Sequence, residues 1–314
     1  MKDFPVDIVY TWVDGLDEKW LLKKNAALDK YNYFHKSSDV SGNKRFVNKD
    51  ELKFSLRSIE KFCPWVRNIY LVTDNQIPKW LNQNNKQIII IDHKDLFDDK
   101  KCLPTFNSHA IEMRLHHIKN LSNNFLSFND DQFIGRLCTK EDFFYKENHP
   151  KLYMGKRKSR LKLRLIMKYP KLKKLTPHQF GLLNSRQLIL KNYNKLINYD
   201  LAHIAKILNK NILHELEAQF LKSFNITLKN QFRDPKDTWI MSLHAYYLIA
   251  KGLSTPYHTC GVSKRNYINK FYSLSGIKSE YGYIRLTDSI NNIKKQAFLI
   301  EKYRPLSFCL NAWP

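Results

Sequence analysis

Four short apolar runs, each followed at once by an acidic or amide residue, limit most strongly the folds that this chain can adopt. The runs are VDIVYTWV, NIYLVT, QIIII and NFLSF, which begin at residues 6, 68, 87 and 124. Strand-length runs that are apolar throughout are typical of parallel strands buried on both faces. Segments with helical periodicity lie between them at 50–62 and 107–120. This alternation predicts an α/β fold, a largely parallel sheet with helices on both faces.

Composition narrows the class of protein. The 314 residues are 43% hydrophobic, which indicates a globular protein. No run approaches the roughly 18 apolar residues of a membrane-spanning helix, and an acid at position 3 argues against a secretory signal. The five cysteines are odd in number and form no CxxC pair, so reduced thiols in the cytoplasm are expected.

Positive charge dominates the chain. Lys and Arg number 53 against 29 acids, a formal net charge of +24, which implies an anionic partner. Nucleic acid, anionic lipid headgroups, nucleotide sugars and a phosphate-containing polymer all qualify. The segment 156–174, here called the basic segment, holds ten Lys and Arg among Leu, Ile and Met and has no acid. We expect it to be either an amphipathic element that grips an anionic membrane or the polymer, or a solvated face.

The basic segment also divides the chain. We expect an α/β core at 1–150, a basic connector at 151–200, and a helix-rich part at 201–314. In the last part, 201–224 and 236–251 are predicted to be helices and 266–286 to form loops or a hairpin.

The fourth apolar run ends in Asn129-Asp130-Asp131. Two adjacent carboxylates next to a core repel each other and lose hydration. A divalent cation that holds a diphosphate would offset that cost, because Mg²⁺ is bound by one or two carboxylates together with substrate phosphates. This edge of an α/β sheet is also where ligands bind. The alternative is a polar turn after a strand.

Several segments resemble the Stealth family, which comprises bacterial capsular-polysaccharide hexose-1-phosphate transferases and the catalytic part of the animal lysosomal-enzyme GlcNAc-1-phosphotransferase. The first two motif regions are similar to DIVYTWVDG at 7–15, ELKFSLRSIEKFCPWVRNIYLVTDNQIPKWL at 51–81, LPTFNSHAIE at 103–112 and FLSFNDDQFIG at 125–135. The third resembles 202–252, with His203, Glu215, Phe232-Arg233, Asp237 and Gly252, and the fourth resembles Ser307 to Asn311.

The resemblance implies that residues 1–150 form a GT-A-like nucleotide-sugar-binding core with the metal site and that the helix-rich part at 201–314 completes the active site. It also implies a transfer reaction. Hexose-1-phosphate or N-acetylhexosamine-1-phosphate would pass from a nucleotide sugar, a UDP-sugar by expectation, to a hydroxyl of a glycan or phosphoglycan. A phosphodiester would form and a nucleoside monophosphate would leave. The enzyme would work in the cytoplasm, peripherally on the inner face of the cell membrane, in the synthesis of capsule or another cell-surface polysaccharide.

The resemblance also assigns residues. Asp131, His203 and Arg233 are the expected catalytic residues, and Asp130 and Asp131 the expected ligands of Mg²⁺ or Mn²⁺. Expected substrate-binding residues are Trp12, Asp14, Gly15, Arg57, Asp74, Asn75, Asn107, His109 and Asn129.

Each assignment has a structural alternative. His203 could cap a helix, Arg233 could pair with Asp234 or Asp237, and Trp12 could belong to the core. Asn107 or Ser108 could simply cap a helix.

Two rival functions remain open at the level of sequence. An ordinary glycosyltransferase would release a nucleoside diphosphate. A non-catalytic basic module would bind membranes or nucleic acid, although no recognised nucleic-acid motif is present and nucleic acid is not expected as a partner.

Overall fold

The computed structural model describes residues 3–30, 41–42, 46, 48–170, 174–261, 278–286 and 288–311. The strands are β1 Val6–Thr11, β2 Ile69–Thr73, β3 Ile88–Asp92, β4 Asn124–Asn129, β5 Gln132–Ile134, β6 Phe144–Lys146, β7 His149–Pro150, β8 Leu152–Arg157, β9 Tyr199–Leu201, β10 Lys206–Asn209, β11 Pro256–Gly261, β12 Lys278–Arg285 and β13 Ser307–Asn311. The helices are α1 Glu18–Leu28, α2 Glu51–Phe62, α3 His93–Leu96, α4 Ser108–Glu112, α5 Lys140–Phe143, α6 Arg160–Lys168, α7 Pro177–Tyr193, α8 Lys210–Gln219, α9 Leu221–Lys229, α10 Ile240–Lys251 and α11 Ile290–Tyr303.

The first sheet contains the four predicted strands. Its order is β10-β4-β1-β2-β3, with β1 to β4 mutually parallel and β10 antiparallel at the edge. Alternate residues of β1 enter different cores: Val9 packs with the α8–α10 side, whereas Ile8 and Tyr10 pack with Leu52 and Leu56 of α2. The predicted α/β class, with helices on both faces of a largely parallel sheet, is therefore confirmed.

A second sheet has the order β5-β13-β12-β11-β8-β9. It takes strands from both sides of the boundary expected at residue 150, since β5 precedes it and β13 lies near residue 311. Strands β6 and β7 form a small separate ribbon.

Three local predictions are wrong. The helix expected at 107–120 is only α4 followed by a 3₁₀ turn at Leu115–His117, because Arg114 is buried and its guanidinium bonds Leu96 O and Glu217. The helix expected at 201–224 begins only at Lys210, because Lys206–Asn209 forms strand β10 along the edge of β4.

The third error concerns 278–286, the described part of the segment 266–286 that was predicted to form loops or a hairpin. Residues 262–277 lie outside the described part of the chain, and β12 at 278–285 pairs in parallel with β11 and β13 rather than in a hairpin. The helix expected at 236–251 is confirmed from Ile240 onward as α10.

The expectations about membrane-spanning helices and about cysteines can also be compared with the structure. Among the described residues, every helix is too short or too polar to cross a lipid bilayer. Cys63, Cys102, Cys138 and Cys309 are free and buried thiols.

Candidate active site

Two short links, β4 to β5 and β9 to β10, carry the chain directly between the two sheets, and the candidate site lies where these two crossings meet. Asp130 and Asp131 form the turn between β4 of the first sheet and β5 of the second. His203 lies in the link between β9 of the second sheet and β10 of the first. This link replaces the helix start at which the sequence placed His203.

The acidic pair at the first crossing is poorly compensated. The amide of Asp131 donates to Asp130 Oδ1 at 3.1 Å, and the carbonyl of Asp131 accepts from the amide of Leu310 at 3.0 Å. Burial raises the pKa of Asp130 to about 7, and the charges of Asp131 and Glu51 add to the effect. Burial also raises the pKa of Asp131, with Glu51 acting in the same direction. Three carboxyl groups thus gather at the head of α2.

Cys309 of β13 joins the two crossings. Its Sγ lies 3.2 Å from Asp131 Oδ2 and 3.1 Å from His203 Nε2. Burial lowers the pKa of His203 to about 4, so its imidazole is neutral at neutral pH, with one ring nitrogen unprotonated, and is a weaker base than an exposed histidine. Burial and the Asp131 carboxylate raise the pKa of the Cys309 thiol, which therefore stays protonated. Folding brings Asp131 and His203 together, as the sequence predicts, through a cysteine that the sequence did not single out.

One carboxylate oxygen of Asp131 is available to bind a cation. Asp131 Oδ1 is buried and has no hydrogen-bond partner within the described ranges. One potential ligand atom from each of Asp131, His203 and Cys309 lies within 4.8 Å of the others. Carboxylate oxygens suit Mg²⁺, whereas imidazole and thiol are softer ligands. The Asp130–Asp131 side of the site therefore fits Mg²⁺ or Mn²⁺ best.

Lys206, at the start of β10, is a partly buried cation that the sequence analysis missed. Its Nζ donates to the carbonyl of Ala202 at 2.7 Å and to that of Ile204. Within the described residues no carboxylate lies at salt-bridge distance, although Glu112 and Asp131 are near enough to raise the pKa against burial, which lowers it to about 8. A lone lysine inside the apolar run IAKIL was the available signal.

Arg233 is a second partly buried cation of the site, and no carboxylate lies at salt-bridge distance from it in the described part of the chain. Its Nε and Nη2 donate to Ser108 Oγ at 3.2 and 2.6 Å. The alternative pairing with Asp234 or Asp237 is not observed. Burial lowers the pKa of Arg233, and the charges of Glu112 and Asp237 oppose that shift.

His178 and Glu112 connect Arg233 to the rest of the site, and both were missed from sequence. Burial lowers the pKa of His178 well below its usual range, helped by the charges of Arg233, Lys206 and His203. Burial raises the pKa of Glu112 to about 7, although the Arg233 charge and a hydrogen bond of 2.7 Å from Trp239 Nε1 oppose the shift. These side chains form one electrostatic group between α4, α7 and β10.

Asn107 and His109 stand at the start of α4, behind this group. Asn107 Oδ1 accepts from the amide of His109 at 3.1 Å, which confirms the capping role, and its Nδ2 donates to Asp237 Oδ2 at 2.9 Å. His109 Nδ1 lies 3.4 Å from Asp237 Oδ2, and the ring is completely buried. A Cβ on Gly181 would lie 3.2 Å from His109 Cε1, so α7 packs closely here because it carries a glycine. In this structure both residues support α4.

The other expected substrate-binding residues follow the strand ends. Asp14, after β1, holds Gln76 through backbone hydrogen bonds of 2.8 and 3.0 Å, and Asp74, after β2, pairs with Lys23 at 2.5 Å. Because β1, β2 and β4 are parallel, these residues share the sheet edge that carries Asp130. Trp12 is buried, with Nε1 unpartnered among described atoms.

Four more expected residues have other environments. Gly15 approaches the backbone of Phe46 so closely that a Cβ would lie 2.1 Å from its carbonyl oxygen. Asn75 adopts a positive φ of 54° in the turn after β2. Asn129 is exposed at the end of β4, and Arg57 is exposed on α2 with its guanidinium over Phe54. Within the described contacts nothing joins Arg57 to the acidic pair.

Comparison with known proteins identifies the family of this chain. Residues 4–32, 45–152 and 202–250 match the family descriptions Stealth protein CR1, CR2 and CR3, conserved regions 1 to 3. The chain is 33% identical to a capsular polysaccharide phosphotransferase of Haemophilus influenzae, covering 98% of this chain and 78% of that protein. It is 37% identical to an exopolysaccharide phosphotransferase of Streptomyces coelicolor, covering 81% of this chain and 41% of that protein.

The chain thus spans about two fifths of the length of that Streptomyces relative. A solved structure of the galactosyltransferase LgtC, in complex with donor and acceptor sugar analogs, is 12% identical with a TM-score of 0.39, covering 98% of this chain and 87% of that one. The fold assignment rests on the sheet topology described above, and membership rests on the three matched regions and on the Haemophilus relative. The chain belongs to the Stealth family.

Proposed function

We propose that this protein transfers hexose-1-phosphate or N-acetylhexosamine-1-phosphate from a nucleotide sugar, with a UDP-sugar as the expected donor, to a hydroxyl of a glycan. A phosphodiester forms and a nucleoside monophosphate is released, as a step in the synthesis of capsule or another cell-surface polysaccharide. The names of the relatives, capsular and exopolysaccharide phosphotransferases, support this reaction class. The observation that carries the proposal is a pair of partly buried cations, Lys206 and Arg233, without carboxylate partners at salt-bridge distance among the described residues.

Such a pair favours an anionic substrate. A cation that is partly withdrawn from water and has no acidic partner is unfavourable in the free protein. A diphosphate supplies the missing negative charge, and Arg can hold its oxygens through two parallel hydrogen bonds. Phosphoryl transfer needs positioning and positive charge around the equatorial oxygens more than covalent help from the protein.

His203 is the proposed proton acceptor. The acceptor hydroxyl oxygen attacks the phosphorus that bears the sugar, the bond from that phosphorus to the nucleoside monophosphate breaks, and the hydroxyl proton passes to the neutral imidazole. The bond at the anomeric carbon is not broken, so the anomeric configuration is kept. Cys309, at 3.1 Å from His203 Nε2, orients the ring and links it to Asp131.

A divalent cation, Mg²⁺ or Mn²⁺, belongs to the proposal. Asp131, with its buried and unpartnered Oδ1, and Asp130 would hold it. When bound, the cation would neutralise charge on the phosphates of the donor. It would also relieve the repulsion among Asp130, Asp131 and Glu51 that raises the pKa of the two aspartates.

We further propose that the protein works at the inner face of the cell membrane, bound peripherally through the basic segment. Helix α6 lies within that segment, and its exposed side chains would make this contact.

The leaving nucleotide tests the reaction. The purified protein is incubated with a panel of nucleotide sugars, Mg²⁺ and a capsular oligosaccharide, and the released nucleotide is identified by chromatography. Nucleoside monophosphate, together with a phosphodiester in the product by phosphorus NMR, is the expected result. Release of nucleoside diphosphate would identify an ordinary glycosyltransferase, and no donor-dependent release with any pair would favour the non-catalytic binding module.

A further inference from the structure

A second group of potential metal ligands lies outside the candidate active site. It joins the 3₁₀ turn Leu115–His117 to helix α8, and we call it the histidine cluster. Its members are His116, His117, His214 and Glu217. One potential ligand atom from each member lies within 4.8 Å of the others.

Local geometry explains why the four side chains meet. His214 and Glu217 are three residues apart on α8, so they share one face of the helix. The break in helical geometry after α4 places His116 and His117 in a tight turn against that face. Their ring centroids are 4.3 Å apart, and those of His116 and His214 are 4.6 Å apart.

Two imidazoles already point at one carboxylate oxygen. His116 Nε2 and His117 Nε2 lie 2.7 and 2.8 Å from Glu217 Oε2. The other oxygen, Oε1, accepts from Arg114 Nη1 at 2.6 Å. Arg114 therefore fixes the carboxylate and leaves one oxygen for the imidazoles, as a carboxylate that ligates a metal through a single oxygen requires.

The members of the histidine cluster differ in burial, from His116 in the interior to His214 at the surface. His116 is completely buried, and its Nδ1 has no hydrogen-bond partner in the described chain. His117 and Glu217 are partly buried, and His214 is exposed. A cation can therefore reach the cluster from solvent past His214 without the core opening.

We propose that the histidine cluster binds one divalent transition metal ion, Zn²⁺ above all, through three imidazole nitrogens and one carboxylate oxygen. Four protein donors fill a tetrahedral zinc sphere and leave no open position, which is the pattern of a structural site. Mg²⁺ and Ca²⁺ prefer oxygen ligands and do not fit three imidazoles. The bound ion would fasten the turn after α4 to α8.

Zinc titration tests the site directly. The full chain is stripped with a chelator and titrated with Zn²⁺ against a chromophoric competitor, in excess Mg²⁺ so that the carboxylates of the active site are occupied. Wild type should bind one tight equivalent. The double variant His117→Ala/His214→Ala should bind that equivalent at least a hundredfold more weakly. Because His214 is exposed, a single His214→Ala variant provides a second test with little risk to folding.

Three controls separate this site from the active site. His149→Ala, a histidine of β7 outside the cluster, should keep the tight zinc equivalent, and so should Asp131→Asn. Transfer activity with Mg²⁺ should be unchanged in the cluster variants, which also shows that they fold.

Cobalt gives an independent signature. Co²⁺ at the cluster should show the visible absorption of a tetrahedral nitrogen and oxygen site and lack a thiolate charge-transfer band, whereas binding at Cys309 would produce that band. Zinc should also raise the melting temperature of wild type and not that of the double variant. Equal zinc affinity in wild type and the cluster variants, or no tight equivalent in wild type, would overturn the proposal.

Discussion

At the scale of single residues, the Asp131 carboxylate has one oxygen bonded to Cys309 and one buried without a described partner. Asp131→Asn keeps the shape and removes the charge. We expect the transfer rate to fall by at least about a hundredfold, because the proposed cation loses a ligand. The melting temperature should not fall, because the variant removes a desolvated charge beside Asp130.

Single-turnover release of nucleoside monophosphate, with thermal melts on the same samples, measures both effects. Asp288→Asn, at an exposed position, is the matched control and should leave the rate unchanged. A chelator should abolish wild-type activity, and Mg²⁺ or Mn²⁺ should restore it. Full activity in excess chelator would contradict the cation requirement.

Arg233 tests the shape of the phosphate contact. Arg233→Lys retains a positive charge but cannot form two parallel hydrogen bonds. We expect donor affinity to fall about tenfold or more, on the basis of roughly 1.5–3 kcal/mol for a hydrogen bond to a charged group. Isothermal titration with the donor measures this, and Arg160→Lys on exposed α6 is the control. Wild-type donor affinity in Arg233→Lys would remove Arg233 from the phosphate site.

Glu112 predicts how donor binding depends on pH. Burial raises the pKa of Glu112 to about 7, so below pH 7 the group is mostly neutral and above it mostly anionic. The anionic form competes with donor phosphates for Arg233 and Lys206. Donor affinity should therefore fall as pH rises from 6 to 8, by about tenfold on the estimate for one nearby charge.

Glu112→Gln fixes the neutral form and should weaken that dependence, leaving the smaller decrease toward pH 8 that comes from loss of the Lys206 charge, whose pKa is about 8. Glu60→Gln, exposed on α2, should keep the wild-type profile. Donor dissociation constants at three pH values are enough to decide. An unchanged pH profile in Glu112→Gln would show that another group controls donor binding.

The residues of the site differ in how far sequence could predict them. Asp130 and Asp131 stand out because a polar pair directly after an apolar strand is a local pattern. Cys309 could not be predicted in this way, because its contact with Asp131 spans 178 residues and depends on strand pairing in the second sheet. Lys206 has a local signal, since it is a lone lysine in an apolar run. The helix predicted for that segment, however, does not place Lys206 at the start of a strand.

At the scale of elements, helix α6 separates its side chains by function. Leu163 is buried against the protein, whereas Leu161 and Leu165 are 72% and 51% exposed. The basic side chains Arg160, Lys162, Arg164 and Lys168 are exposed as well. An exposed helix with both apolar and basic side chains is typical of an element that lies on an anionic membrane surface.

Replacing Arg160, Lys162, Arg164 and Lys168 by Gln should weaken binding to vesicles of anionic lipid, by up to about 1 kcal/mol for each charge. Wild-type binding should fall steeply as salt rises. Turnover of a short soluble acceptor should stay unchanged. Cosedimentation with vesicles measures the effect.

The matched control carries the same loss of charge elsewhere: Lys191, Lys222, Lys294 and Lys295 replaced by Gln, all of them exposed. It should bind vesicles better than the α6 variant. Equal loss in both would show that net charge alone controls membrane binding. Lost turnover with intact vesicle binding would place α6 at the substrate instead.

Secondary structure was predictable where neighbouring residues decide it. The four parallel strands and α10 follow from their own apolar patterns. Segments 107–120 and 201–209 do not, because buried Arg114 breaks the first and the open edge of β4 captures the second as β10. Tertiary contacts overrode periodicity in both segments.

At the scale of the whole molecule, the second sheet positions Cys309, so its packing controls the site. Gly282 of β12 touches both α11 and β13: a Cβ there would lie 2.6 Å from Ile300 Cγ1 and 3.1 Å from Phe308 Cβ. Gly282→Ala should lower the free energy of unfolding by about 1–3 kcal/mol, as overpacking does. It should also lower activity, because Phe308 precedes Cys309.

Gly155→Ala is the control from the same sheet, since the nearest atom to its Cβ would be Asp200 O at 3.8 Å. Alanine lowers the backbone entropy of the unfolded chain, so this variant should be as stable as wild type or slightly more stable. Chemical denaturation and the transfer assay report on both variants. Equal stability of the two would mean that Ile300 and Phe308 adjust without cost.

The two short crossings between the sheets, β4 to β5 and β9 to β10, also determine when the site can form during folding. The first sheet has all its strands once residue 209 has been made, whereas the link from Asp131 through Cys309 to His203 needs β13. The contacts of Cys309 with Asp131 and His203 join residues 178 and 106 positions apart. Such contacts form late, because the entropy of closure grows with the number of residues enclosed. A growing chain can therefore hold a formed sheet with its acidic pair in place while the histidine still lacks its link to that pair. The contacts that join Asp131 to His203 therefore form only when residues 307–311 pair as β13 in the second sheet.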